Sequence, residues 1–306
     1  MIRATRDAGA AAGLLLALLA LSPAPGAGQE WLEMRTARQV SGVDSLSLRV
    51  EYGAGRLSVG PAEEGLLYEA RMRWDTTAFR PVRDYERDDG FARVRLGLDA
   101  RNGEIDADVD WDEFDLGSLR LGDFEVDETG DMEVGLSRSV PTDLELVMGA
   151  TRGAVELGGV PLTRLRIATG ASEIEVSFDR PNPARMETLR IKAGAASLDV
   201  TGLGNARAGE IAVESAVGEV ELDFTGQWAR DARATVKTGL GRVTLRIPSS
   251  LGVKLQKSSL LSSFSGFGLE KADDGSYRSE NWDQARHRLE LEVDAAFGSI
   301  EVERVP

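Results

Sequence analysis

One short pattern, written four times between Leu165 and Pro248, decides most of what this chain can fold into. The copies are Leu165–Val176, Leu189–Val200, Ile211–Leu222 and Ala234–Leu245, each an alternating stretch, a small Gly- or Ala-containing centre and a second alternating stretch. Their starts lie 22 to 24 residues apart, a fixed period of the length that marks solenoids. In the first copy Leu165, Ile167, Ile174 and Val176 share one face, while Arg166, Glu173 and Glu175 take the other, as in half-buried strands. The pairs Gly170-Ala171 and Gly194-Ala195 supply a residue free to adopt positive φ and a small neighbour, which a tight corner needs. A single copy cannot bury its four inward side chains. Stacked copies bury them in one column, each contributing about 1.5 to 3 kcal/mol before conformational entropy is subtracted. An antiparallel meander of hairpins has the same strand-turn-strand grammar. The recurrence of one residue class at one place in every copy, and corners longer than the usual hairpin turn, favour an all-β stacked solenoid. Its period is roughly 21 to 24 residues, and its handedness is left open by the pattern.

The flanks extend the array. Leu46–Val59 repeats the design, and Leu66–Trp74 and Phe91–Leu98 read as further strands. Leu144–Leu157 reads as an imperfect copy with a longer corner. Beyond the array the period lapses from Ser258 to Asn281 and returns at Leu289–Val302, the atypical cover that an open stack end requires. No segment has the pattern of an amphipathic helix; Trp282–Arg286 is the one candidate for a helical turn.

Residues 1–28 have the composition of an export signal, with Arg3 and Arg6, an apolar run from Ala8 to Leu21 and small residues up to Gly28. The run is short for a membrane span. The chain has no cysteine, hence neither a lipid-attachment thiol nor disulfides. The expected organisation is a signal peptide at 1–28, a β unit at 29–133 and a repeat domain at 134–306, exported to the periplasm or outside the cell with no transmembrane segment after cleavage. A net charge of −15 argues against nucleic acid or an anionic membrane surface as partner. Thirteen carboxylates against the single base Arg120 lie between Glu104 and Glu133, which reads as an acidic loop or edge insertion.

The ordered set Val50–Val59, the serial Gly-Ala turns, Phe178–Asn182, Gly202–Asn205, Asp223–Gly226 and Tyr277–Trp282 resembles the toast-rack family of bacterial exported β proteins. The array also resembles the C-terminal domain of LiaF-like cell-wall-active-antibiotic response proteins and the putative-adhesin solenoid families. The resemblance implies a stacked β architecture, no known catalysis, and a part in envelope stress sensing or adhesion. The expected partner is then an envelope protein or a polysaccharide; a carbohydrate-binding or carbohydrate-active β-helix is the alternative.

Catalytic constellations are hard to assemble from these residues. His287 is the sole histidine, no nucleophile elbow precedes any serine, and zinc lacks ligands. Gly239-Leu-Gly241 lies within a strand-turn-strand with no helix to follow, so it is no phosphate loop. Asp106–Asp112 spaces carboxylates as a calcium loop begins, but Trp111 stands where glycine should turn and Gly117 where the bidentate glutamate should be. Trp74, Trp111, Trp228 and Trp282 are candidates for stacking on sugars, with core or cap positions the plainer explanation. No cofactor is expected. Aligning the second strands places Glu156, Glu175, Asp199 and Glu221 in one outward column, a solvated stripe or a place for calcium or a basic partner.

Overall fold

The computed structural model of the chain describes residues 30–100, 109, 111 and 130–306. The leader at 1–28 and the Asp106–Asp112 motif, apart from Val109 and Trp111, lie outside them, as does most of the acidic segment. The first unit contains β1 (Trp31–Gln39), β2 (Ser45–Pro61), β3 (Leu66–Asp75), β4 (Phe79–Asp88), β5 (Phe91–Ala100) and β6 (Asp131–Leu136). There follow β7 (Thr142–Glu156), β8 (Leu162–Ser177), β9 (Met186–Thr201), a helical turn α1 (Leu203–Ala206), β10 (Ala208–Asp223), β11 (Ala232–Pro248), β12 (Gly252–Gly266), β13 (Glu270–Lys271), β14 (Tyr277–Arg278) and β15 (Arg288–Val305).

Pairing direction separates the two readings of the repeat. From β2 through β7, β8, β9, β10 and β11 to β15 and then β12, every neighbour pair is parallel, so the chain coils and stacks rather than meandering. Each long strand includes its own corner, and the expected register holds through the array: Leu165, Leu189, Ile211 and Ala234 lie side by side, as do Ile174, Leu198, Val220 and Val243. All eight are buried. The core therefore runs along the coil between the two halves of every bent strand.

The corner differs from expectation in one respect. Gly170 and Gly194 keep negative φ; the left-handed position comes two residues later, at Gly55, Gly218, Gly241 and Gly298, with φ of 116°, 134°, 150° and 129°. Gly194 serves closeness instead, since a Cβ there would stand 2.7 Å from the Gly170 carbonyl oxygen of the rung below.

Return bends close each turn. Phe178, Leu203 and Phe224 plug the core there, and two buried asparagines tie bend to bend. Asn182 accepts from Leu162 N and donates to Leu162 O and Ala206 O, while Asn205 donates to Phe178 O and accepts from Gln227 N. These bonds satisfy backbone groups that the bend would otherwise leave buried and unpaired.

At the start of the stack β5 pairs with Ser45–Tyr52 of β2 and β6 with Arg56–Pro61, so β5 and β6 are two halves of one rung. Ala100 and Asp131, the end of β5 and the start of β6, lie on either side of that rung's corner. The last residues of the acidic segment are therefore strand rather than loop: Asp131 pairs with Arg73 at 3.6 Å and Glu133 with Arg71 at 3.7 Å. The boundary expected after Glu133 falls inside β6. Antiparallel β3 and then β1 cover β6, and antiparallel β4 covers β5. At the far end β15 inserts between β11 and β12, which leaves β12 as the outermost rung, with β14 over its first residues. The lapse expected over Ser258–Asn281 starts later, after Gly266, because β12 stays paired with β15 as far as that residue.

Candidate functional site

Register turns each outward position into a column crossing the coil at about 4.8 Å per rung. The column expected to be acidic contains Ala154, Glu175, Asp199, Glu221 and Thr244. Glu156 is not in it; it lies beside Ser177, two residues along. The slip arose because Val155 and Leu157 are both buried, and a two-residue shift leaves a period-two pattern unchanged. The corner before Glu156 is consequently no longer than the others.

Arg246, one column away, reaches Glu221 at 3.8 Å and Glu303 at 3.7 Å, so the stripe has a counter-charge that its own column lacks. Burial pushes the Asp199 carboxyl up, the Asp223 charge adds to the shift and Arg246 opposes it. Among the described residues no three carboxylate or imidazole groups converge as a cation cage requires. On the first halves of the strands Lys192, Glu214 and Lys237 adjoin with alternating sign, with Glu214 3.9 Å from Lys192 and 4.0 Å from Lys237.

A second charged feature was missed in the sequence. Arg95, Arg49, Glu145, Arg166 and Arg190 occupy a single outward column. Glu51 accepts from Arg49 Nε at 2.6 Å and from Arg95 Nε at 2.7 Å, and Glu145 accepts from Arg49 at 3.0 Å. Trp111, from the acidic segment, donates its indole N–H to Glu145 at 3.1 Å and accepts from Arg190 through its carbonyl at 3.2 Å. The clue available was the run of arginines at one repeat position, Arg166 and Arg190 among them. The indole N–H and the carbonyl of Trp111 are thus both engaged by the coil itself. Trp74 is core and Trp228 caps a bend, its N–H donated to Phe224 O at 2.8 Å.

His287 is half-buried, with Nδ1 4.0 Å from Asp231 Oδ1, and among the described residues no serine hydroxyl is bonded to it. Beside it runs a surface groove of 1120 Å³ lined by Arg185, Arg230, Arg233, Arg288, Glu210 and Trp282.

The corners contain the other missed feature. In the first rungs the corner position is filled by Ala54, which is buried, then by Ala150, Ala171 and Ala195. From there the same position is filled by Val217, Leu240, Phe297 and Leu261 on four adjacent strands. These are 46%, 52%, 43% and 71% exposed. They form an apolar ridge on a coil whose neighbouring columns are charged or small. Exposed apolar residues in a contiguous group mark contact surfaces, whereas scattered ones do not.

The N-terminal domain of toast_rack matches residues 29–201, more than half of the chain, which therefore belongs to the toast-rack family. Residues 205–302 match the C-terminal domain of the cell wall-active antibiotics response protein LiaF, and the two matches meet at α1, inside an unbroken parallel stack. No curated protein matches the chain. Among solved structures, a putative cell adhesion protein from Clostridium sporogenes is similar over 90% of this chain and 100% of its own, at 16% identity and a TM-score of 0.47. A putative adhesin from Bacteroides fragilis is similar over 90% and 98%, at 9% identity and a TM-score of 0.33. No helix among the described residues is long and apolar enough to cross a membrane.

Proposed function

We propose that the chain is an exported, non-enzymatic interaction or scaffold module of the bacterial cell envelope, working in envelope stress response or adhesion. The apolar ridge at the corners carries this reading, because side chains of that size exposed in register cost solubility and contribute little to the core. The match of residues 205–302 to a cell-wall response domain and the composition of residues 1–28 support the location. The proposed partner is an envelope protein. A polysaccharide is the second reading, favoured by Trp282 in the groove; there Arg288 already lies over the indole, 5.7 Å from the ring centroid, so one stacking face is taken. We read Glu175, Asp199 and Glu221 as a solvated stripe, with a divalent cation as the competing occupant. The test compares the exported chain with a Leu240→Lys, Phe297→Lys variant in capture from an envelope extract and in sedimentation with purified peptidoglycan. Capture of a defined protein that the variant loses is expected. Equal capture by both, or retention on peptidoglycan alone, would overturn the reading.

A further inference from the structure

Among the described residues four strands have a free side: β1, β4, most of β12, and β13, which is only two residues long, both charged. An unpaired strand offers a row of N–H and C=O groups to any other strand, and proteins guard such edges with charge or proline. β1 has Glu33, Arg35 and Arg38; β4 has six charged residues in ten, and Pro81. β12 is built the other way. One side is paired with β15 along its whole length, and β14 covers only Lys254 and Leu255 on the other, which leaves Gln256–Gly266 open. From Ser258 to Gly268 there is no charged residue, in a chain that is 28% charged. Leu261 and Phe267 along this run are 71% and 76% exposed.

We propose that this edge is a self-association strand, through which two copies of the chain join by antiparallel pairing of their β12 strands. Each copy has a net charge of −15, so two copies repel overall, whereas the open edge has Lys257 as its one charge and is uncharged from Ser258 onward. The edge is also compatible with itself. Leu261, the corner residue, is the midpoint of Gln256–Gly266, and pairing about it sets Ser259 against Ser263 of the second copy and Lys257 against Ser265. Small hydroxyl side chains meet, and no like charges do. Such an interface is isologous, so it closes at two copies instead of growing a fibre. It also places the two apolar ridges end to end, and in this respect it deepens the proposed function without depending on the envelope partner.

The test is the mass in solution of the exported chain by sedimentation or light scattering up to millimolar concentration. A two-chain mass is expected, with association strengthened rather than weakened by added salt. A Leu261→Lys, Ser263→Lys variant, altered at exposed positions that the core does not use, is expected to give a single-chain mass with an unchanged melting temperature. A Val217→Lys, Leu240→Lys variant, altered on the ridge away from the edge, is expected to stay dimeric while losing the envelope partner. A wild-type chain that remains single throughout, or a dimer that survives the edge variant, overturns the proposal. So does a dimer lost to the ridge variant alone, or larger open assemblies.

Discussion

The corner of the first rung and the corners of the last four are the same position of one coil, used in opposite ways. At the first, residues 101–130, with eleven of the thirteen clustered carboxylates, stand between β5 and β6 in the sequence; the last four present Val217, Leu240, Phe297 and Leu261. Between them sit alanines. Apart from Ala54, which is buried, side chains at this position are partly or fully exposed, so stacking constrains their size and charge little. One residue further along the corner, by contrast, Gly218, Gly241 and Gly298 are held by the backbone of the rung beside them. The fold is written in the inward columns and the inner corner, and the outer corner is left for function.

The largest effect should come from breaking an inward column three residues from the ridge. Val220→Asp buries an unpaired carboxylate and is expected to cost several kcal/mol, visible as loss of a cooperative melt, while Glu221→Gln next to it leaves the melt in place. Equal shifts would contradict the register. Next comes the inner corner. Gly241→Ala combines a left-handed φ with a Cβ directed into the Gly218 carbonyl oxygen, and denaturant unfolding should show a loss of about 1 to 3 kcal/mol. Ala196, at the same register without positive φ, tolerates Ala196→Gly with a smaller loss of under about 1 kcal/mol.

A smaller effect depends on pH. With its carboxyl shifted up in the folded state, ionised Asp199 works against folding; this penalty is absent at acid pH and develops as pH rises through the folded value. Asp199→Asn should therefore raise the melting temperature at pH 7, with the gain fading as pH falls toward about 4. Added calcium should leave both melts unmoved. A calcium-dependent rise that disappears in the Glu175→Gln, Glu221→Gln variant would assign a cation to the stripe. The smallest effect belongs to the ridge itself: Val217→Ser with Leu240→Ser should stay within about 0.5 kcal/mol of the parent, although both residues are large and apolar.

How far the sequence could be read follows the same division. Alternation at Leu165, Ile167, Ile174 and Val176 and its recurrence in later copies specify stacked parallel rungs, because burial enforces the pattern. Glu156 was misplaced because alternation carries no information about slips of two. The strands β1 and β4 went unread because they bury little: Glu33, Arg35 and Arg38 in one, and the six charged residues in the other, obscure the period. The insertion of β15 between β11 and β12 is a matter of strand order that local residues do not encode. The ridge was passed over for a different reason. Val217 and Leu240 look like core in a single copy, and only the register shows them at an outward corner.

The most direct test of the claim that the uncharged end of the coil is an interface is hydrogen exchange at β12 as a function of protein concentration, compared with β1 and β4 in the same samples. Slowing of the Gln256–Gly266 amides on concentration, with Trp31–Gln39 and Phe79–Asp88 unchanged, is the predicted result. Exchange at β12 that is as fast at high concentration as at low, or slowing of all three edges together, would contradict it.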